Sequence, residues 1–160
     1  MKIALYFLLS FSVGLLALNG LDKNVDKEIR EEFEISSYTH EGVKVPEELQ
    51  KNLPAQVSSD NFFRISRDGK ILGYAYLDEA PSKTAEFDYL VLLDENLTIA
   101  RTKVLVYREE YGGEIGSKRW LRQFNGKSQA KELDRIAAIS GATISVRSMT
   151  NAVQDFLSSV

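Results

Sequence analysis

The middle of the chain consists of two pairs of strand-forming stretches, each pair joined by a short turn sequence. Residues 62–66 and 71–77 are separated by Arg-Asp-Gly-Lys, in which Asp-Gly supplies the positive φ of a tight hairpin. Residues 87–93 and 97–107 are separated by Asp-Glu-Asn, another turn composition. Because connections this short join antiparallel neighbours, the sequence predicts a four-stranded antiparallel meander.

Helical patterns lie before and after this predicted sheet. Ahead of it, apolar residues recur every four positions among charged ones, at Leu21, Val25, Ile29 and Phe33. That spacing is typical of an amphipathic helix whose apolar stripe packs on a core, and a helix that docks a partner is the alternative. Beyond the sheet, residues 118–124 predict a short helix and residues 144–157 a longer one. The expected fold is therefore α+β, an antiparallel sheet with packed helices.

The first twenty residues have the composition of an export segment. Lys2 is followed by residues 3–18, which carry no charge, and then by the small residue Gly20. This order predicts a signal peptide cleaved after Gly20. An uncleaved N-terminal anchor is the alternative, although the run falls just short of the ~17–20 apolar residues that span a bilayer. In both cases we expect one domain, residues 21–160, in the periplasm or elsewhere outside the cytoplasm.

Composition removes several classes of function. The chain has no cysteine, which excludes disulfides, iron–sulfur clusters, thiolate metal sites and cysteine nucleophiles. His40 is the sole histidine and lies in a polar stretch, so we expect a solvated loop residue rather than part of a zinc site or a catalytic triad. The formal net charge of -3 argues against a nucleic-acid binder. We predict no metal site and no catalytic residue.

The segment Ile-Ser-Gly-Ala-Thr-Ile-Ser, residues 139–145, is suited to hold a phosphate group. Gly141 can adopt backbone conformations closed to other residues and Ala142 is small, so a phosphate can approach the turn closely at the amino end of the predicted helix. Free N–H groups there favour negative charge, and Ser145 is a candidate hydroxyl donor. The motif supplies no base to activate the Thr143 hydroxyl, so Thr143 does not catalyse its own modification.

Residues 140–143, Ser140 to Thr143, match the S-G-A-T signature of the FMN-binding domain family. That family includes the flavin-carrying periplasmic subunits of the sodium-pumping NADH:quinone reductase and of the Rnf complexes. The wider order is also similar: a glycine-rich loop at residues 110–113, then Trp-Leu-Arg-Gln-Phe-Asn-Gly-Lys at 120–127, then S-G-A-T and its helix. The resemblance covers residues 62–160.

In those relatives the last Thr of the signature is esterified to the FMN phosphate. The resemblance thus implies that Thr143 carries FMN covalently and that a separate flavin transferase, using FAD and a divalent metal, attaches it. It also implies an electron carrier that serves a membrane or periplasmic redox partner, rather than a stand-alone enzyme. The alternative is a secreted binding or assembly module of the same fold, with non-covalent flavin or none.

Aromatic and acidic residues near the motif complete the candidate site. The isoalloxazine ring is flat and largely apolar, which makes Trp120, Phe124 and Tyr111 candidate packing partners. Trp120 and Phe124 are four apart on a short helix, so packing of both into the core is the alternative. The glycine-rich loop adds Gly113, and a carboxylate at Glu110 would lower the reduction potential of a nearby flavin.

The chain departs from the family pattern six residues before the acceptor. Many relatives carry Asp there, which is thought to help the modifying enzyme recognise its target, whereas this chain has Ala137. Asp134, three positions earlier, is a doubtful substitute. We therefore expect the departure to affect the efficiency of flavin attachment more than the fold.

Overall fold

A computed structural model describes residues 22–160; the predicted leader at residues 1–20 and Leu21 lie outside the described residues. Five strands form one antiparallel sheet in the order β1-β2-β3-β4-β5. The strands are β1 (Thr39–Gly42), β2 (Phe62–Arg67), β3 (Lys70–Pro81), β4 (Glu86–Asp94) and β5 (Ile99–Val106). The α-helices are α1 (Lys23–Phe33), α2 (Glu47–Gln50), α3 (Lys118–Leu121) and α4 (Thr143–Leu157). Within the described residues, 3-10 helices span Gly113–Gly116, Arg122–Phe124 and Ala130–Arg135.

Strands β2 to β5 form the predicted meander. Both Asp68 and Gly69 have positive φ, 51° and 75°, as the tight Asp-Gly hairpin between β2 and β3 requires. In the turn between β4 and β5, the Asp94 carboxylate accepts hydrogen bonds from the backbone N–H groups of Asn96 (2.9 Å) and Thr98 (3.0 Å). The α+β prediction is confirmed.

The first strand of the sheet was missed. β1 has the sequence Thr-His-Glu-Gly, which lacks the apolar alternation that identifies a half-buried strand. The prediction that His40 is a solvated loop residue was therefore wrong. His40 lies in β1 opposite Ile65, with its ring 5.7 Å from the Phe63 ring, and partial burial lowers the pKa of its imidazole.

One face of the sheet is covered by α4. The Phe156 ring stacks on the Tyr76 ring at 3.8 Å with an interplanar angle of 5°, and Met149 and Val153 on the same helix face are fully buried. Since helical residues three and four apart share a face, this buried side fixes which residues of α4 remain exposed. The amino end of the helix lies at the edge of the core, where Thr143 and Ile144 are exposed.

The opposite face is covered by α1, as its apolar stripe predicted. Val25 and Ile29 are buried in a cluster that includes Leu90 and Leu92 of β4. Arg101 of β5 forms ion pairs with three acidic residues of α1: Glu28, Glu31 and Glu32. Within residues 22–160, no helix combines the length and the apolar character needed to span a bilayer.

Candidate functional site

The S-G-A-T segment forms a turn that leads directly into α4. Gly141 has φ +85°, a conformation that glycine adopts at little cost, and the Ala142 N–H donates to the Ile139 carbonyl at 3.2 Å. The helix begins at Thr143, one residue earlier than predicted, and no side chain caps it. The first N–H groups of a helix have no acceptor within it, so this exposed end is suited to bind an anion.

The glycine-rich loop packs against this turn. Gly112 is buried and has φ +86°, and a Cβ added to it would lie 2.7 Å from the Tyr107 hydroxyl and 3.5 Å from the Gly141 carbonyl oxygen. Only glycine fits such an approach without displacing its neighbours. The fold thus brings together the glycine-rich loop at residues 110–113 and the S-G-A-T segment at residues 140–143, although about thirty residues separate them in the chain.

Tyr107, which follows β5, joins the loop to the helix and was not recognised from the sequence. Its hydroxyl donates to the Tyr111 carbonyl at 3.0 Å and lies 3.0 Å from the Ser145 Oγ. Ser145 is only 3% exposed. The structure therefore places Ser145 beneath the helix start, where its hydroxyl is a partner of Tyr107. Its role as a donor to a phosphate stays a prediction.

Two grooves flank the start of α4. The first has a volume of about 330 Å³ and runs between α4 and the segment that contains Leu133 and Ile136. The second, here called the hairpin groove, has a volume of about 490 Å³ and lies between α4 and residues 81–82 at the end of β3. Thr143 and Arg147 line both grooves. A group attached to Thr143 can therefore extend into either one.

Two large apolar side chains at this end of the molecule face solvent. Tyr111 is 81% exposed and Ile144 is 55% exposed. Glu110 and Gly113, the other predicted loop residues, are exposed as well. Ile144 also lines the hairpin groove. An exposed apolar side chain at a groove is typical of a surface that a flat apolar ligand covers.

Trp120 and Phe124 belong to the core, which was the alternative. They are 3% and 0% exposed, and their ring centroids lie 5.2 Å apart in an edge-to-face arrangement. The Trp120 Nε1 donates to the Ala137 carbonyl at 2.7 Å. Trp120 lies in α3 and Phe124 ends the 3-10 helix that follows it, so the helix predicted over residues 118–124 is divided in two. Both rings are buried in the core, and Trp120 supports the segment that precedes S-G-A-T.

Ala137 is held by its backbone alone. Its N–H donates to the Gln123 Oε1 at 2.8 Å, its carbonyl accepts from Trp120, and its side chain faces solvent. Asp134 does not occupy the place of the missing Asp. Its carboxylate accepts a hydrogen bond from Gln154 at 2.8 Å, and Gln154 lies about 16 Å along α4 from Thr143 at 1.5 Å per residue.

Arg147 is a further candidate that the sequence analysis missed. It lies four positions, about one helical turn, after Thr143 and therefore on the same side of α4, and it lines both grooves with Thr143. Among residues 22–160 no ion pair holds Arg147, whereas Arg101 and Arg108 each pair with carboxylates. Its position on the predicted helix, one turn beyond Thr143, would have identified Arg147 from the sequence.

Comparison with known proteins identifies the fold. The family model described as FMN-binding domain matches residues 62–158. The chain belongs to this family. The structure of the FMN-binding domain resembles the crystal structure of Shewanella oneidensis NqrC, with a TM-score of 0.51 and 16% sequence identity. The match covers 73% of this chain and 63% of that one, so the chain spans less than two thirds of its relative, and at this identity the likeness concerns the fold. No curated protein sequence matches the chain.

The residues of the site fit FMN. The uncapped start of α4 offers N–H groups to a phosphate, and Tyr111 and Ile144 offer apolar surface to a ring. Ser148 lines the hairpin groove, and its buried Oγ has no hydrogen-bond partner in the described part of the chain. An unpaired buried hydroxyl costs about 1–3 kcal/mol, which a polar ligand atom in the groove would offset.

Proposed function

We propose that the FMN-binding domain carries FMN covalently, through a phosphoester on the Thr143 Oγ1, and relays electrons between redox partners outside the cytoplasm. The observation that supports this most strongly is the position of Thr143. It is the exposed first residue of α4, in an S-G-A-T turn whose helix start has no side-chain cap. A phosphate on this hydroxyl would lie beside the free N–H groups of the first helical turn.

The chain can stabilise the phosphate in two ways. The partial positive charge at the helix start stabilises a nearby anion by roughly 0.3–1 kcal/mol when exposed and up to ~2 kcal/mol when partly buried. Arg147, which lines both grooves beside Thr143, adds a full positive charge. Phosphate and guanidinium form short, charge-assisted hydrogen bonds, so Arg147 would orient the group as well as neutralise it.

Of the two grooves, the hairpin groove is better suited to hold the isoalloxazine ring of FMN. It is the larger of the two grooves, and it is lined by Ile144 and by Ser148, whose hydroxyl has no partner among the described residues. Ile144 and Tyr111 would supply apolar cover, and Ser148 a hydrogen bond to a polar ring atom. Bound FMN supplies reversible electron transfer, and the role of these side chains is to hold and shield it.

Attachment requires a separate enzyme. The carboxylates that line the grooves with Thr143 are Asp134 and Asp155. Asp155 lies three turns along α4, and Asp134 is bonded to Gln154. A general base must come within hydrogen-bond reach of the hydroxyl it activates, which neither achieves. A flavin transferase would supply the base: the Thr143 Oγ1 bonds to the FMN phosphorus of FAD, the P–O–P bond breaks, and AMP leaves.

The location and the partners are part of the proposal. The export segment predicted at residues 1–20 would carry the domain to the periplasm or the outer face of the membrane, where a membrane or periplasmic redox protein would exchange electrons with it. One observation favours the alternative, a binding module with non-covalent flavin. Ala137 stands where many relatives carry the Asp thought to guide the transferase.

Denaturing electrophoresis distinguishes these functions. The full chain is produced together with a flavin transferase, and the gel is viewed for flavin fluorescence. We expect a fluorescent band for the wild-type chain and a dark one for Thr143→Ala. A yellow native protein whose wild-type band is dark after denaturation would support the non-covalent alternative. A protein that is colourless from the start would contradict flavin binding altogether.

A further inference from the structure

A chain of three hydrogen-bonding groups joins the glycine-rich loop to the start of α4. Tyr107 is at its centre, with the Tyr111 carbonyl and the Ser145 hydroxyl each 3.0 Å from its Oη. The Tyr111 carbonyl is solely an acceptor, so the single proton of the Tyr107 hydroxyl is directed to it. Ser145 must then donate to Tyr107, and the chain has one direction, from Ser145 through Tyr107 to Tyr111.

The position of the Tyr107 hydroxyl depends on Gly112. A side chain at that position would meet the Oη at 2.7 Å, so the loop passes directly over the hydroxyl it is bonded to. The Tyr107 ring also packs against the Phe87 ring, at a centroid distance of 5.9 Å. Removing the hydroxyl alone would therefore leave the packing of the ring in place.

The loop is fixed at its beginning by a separate contact. The Glu109 carboxylate accepts hydrogen bonds from the backbone N–H groups of Thr84 (2.7 Å) and Ala85 (3.3 Å), and from the Ser82 hydroxyl. These bonds hold the pKa of Glu109 below its usual value. The loop backbone is therefore bonded through the Glu109 side chain at one end and through the Tyr111 carbonyl at the other, while the Tyr111 side chain remains 81% exposed.

We propose that Tyr107 is a positioning residue that holds the Tyr111 loop against the S-G-A-T turn, so that the Tyr111 ring covers the flavin on Thr143. This inference rests on the proposed function for the identity of the ligand. The hydroxyl chain itself needs no flavin, since all three of its members belong to the protein. Tyr107 does not touch the reacting groups; it acts through the backbone of Tyr111 and the side chain of Ser145.

The first measurement is amide hydrogen exchange on the full chain without flavin. Tyr107→Phe removes the central hydroxyl, and the Ile115 N–H, which donates to the Gly112 carbonyl at 3.2 Å, reports the order of the loop. Loss of hydrogen bonds worth about 1–1.5 kcal/mol should accelerate exchange at residues 111–115 about tenfold. Tyr38→Phe is the matched control, because it removes a tyrosine hydrogen bond to Asp26 on the opposite face of the sheet. We expect no acceleration in that loop.

The second measurement uses flavin-loaded protein, made with the transferase. Tyr107→Phe should retain the flavin but gain fluorescence and become more accessible to iodide, because the ring loses its contact with Tyr111. Tyr111→Ala should give the same spectroscopic change without accelerating exchange at Ile115. Ser145→Ala removes the hydroxyl that donates to Tyr107, and it should increase exchange and fluorescence less than Tyr107→Phe does. It also tests the proposal if Tyr107→Phe does not fold.

The two parts of the experiment separate the two proposals. A wild-type chain that carries no flavin would overturn the proposed function, while exchange at residues 111–115 would still test the role of Tyr107. A loaded Tyr107→Phe protein with unchanged exchange and unchanged fluorescence would overturn the positioning role and leave the flavin assignment intact. Equal acceleration in Tyr38→Phe would also overturn it, because the effect would then reflect general loss of stability.

Discussion

Arg147 lies one turn of α4 beyond Thr143, and the two side chains line the same pair of grooves. Residues at i and i+4 are neighbours on a helix surface, which puts the guanidinium next to whatever is attached to Thr143. Within the described part of the chain no carboxylate pairs with it. This relationship gives the site a cation in a segment where only backbone N–H groups and hydroxyls were identified from the sequence.

Arg147→Gln should weaken FMN binding. The effect is best measured in a Thr143→Ala background, where only non-covalent binding occurs, as the dissociation constant in a fluorescence titration. Exposed ion pairs contribute about 0.2–1 kcal/mol, so we expect a loss of up to about fivefold. The loss should shrink at high salt, which screens the pair. Arg119→Gln is the matched control because Arg119 is exposed and lines neither groove. Equal losses in both variants would argue for a non-specific charge effect.

Ala137→Asp should accelerate covalent attachment. The Ala137 side chain is exposed and both backbone groups are already bonded, so a carboxylate can be added without disturbing the turn. The measurement is the initial rate of flavin incorporation with a fixed amount of transferase. Ala137→Asn matches the shape without the charge and should give a smaller gain. A rate unchanged by Asp would show that this transferase does not use the position.

Arg101→Met should destabilise the fold. Glu28 is 8% exposed, and it would lose the hydrogen bond from Arg101 and keep only that from Lys103. We expect the free energy of unfolding to fall by about 2 kcal/mol, less than the ~3–5 kcal/mol of fully buried pairs because Arg101 is partly exposed. Denaturant unfolding at pH 7 measures it. A further change, Glu28→Leu in the Arg101→Met background, should recover part of the loss by removing the unpaired carboxylate.

The ion pair between Arg101 and Glu28 also predicts how the free energy of unfolding depends on pH. Burial raises the pKa of Glu28, but hydrogen bonds from Arg101 and Lys103 outweigh it, and the net pKa lies below the ordinary value of 4.5. As the pH falls, the Glu28 carboxylate therefore takes up a proton in the unfolded chain before it does so in the folded chain. The contribution of ionised Glu28 to the free energy of unfolding is complete above about pH 5 and is lost as the pH falls through the folded-state pKa of Glu28. In Arg101→Met the free energy of unfolding should fall less steeply as the pH is lowered below about 5. A steeper loss would contradict the assignment.

Local signals predicted most of the fold. The two short turn sequences, Asp-Gly at Gly69 and Asp-Glu-Asn at residues 94–96, and the strand-forming stretches beside them identified the meander, and the spacing of Val25 and Ile29 identified α1. β1 was missed because its four polar residues become a strand only through pairing with β2, from Thr39 opposite Ser66 to Gly42 opposite Phe63. Tertiary pairing of this kind leaves no periodic pattern in the sequence.

The candidate site was only partly predictable. Thr143 and its turn were accessible from the motif and from the conformational freedom of Gly141. The role of Tyr107 was not, because its bond to Ser145 joins residues 38 positions apart, through a contact that no local spacing encodes. Trp120 and Phe124 had a spacing equally compatible with a core and with a ligand surface, and only the packing of α3 and of the 3-10 helix after it decides between the two.

The most direct measurement is the intact mass of the full chain produced with a flavin transferase, followed by mapping of the modified peptide. We expect one added FMN, less the water lost in forming the ester, on the peptide that contains Thr143, and the unmodified mass in Thr143→Ala. An unmodified wild-type chain under conditions where the transferase modifies a known target would contradict covalent attachment. An adduct that persists in Thr143→Ala would place the bond on another residue.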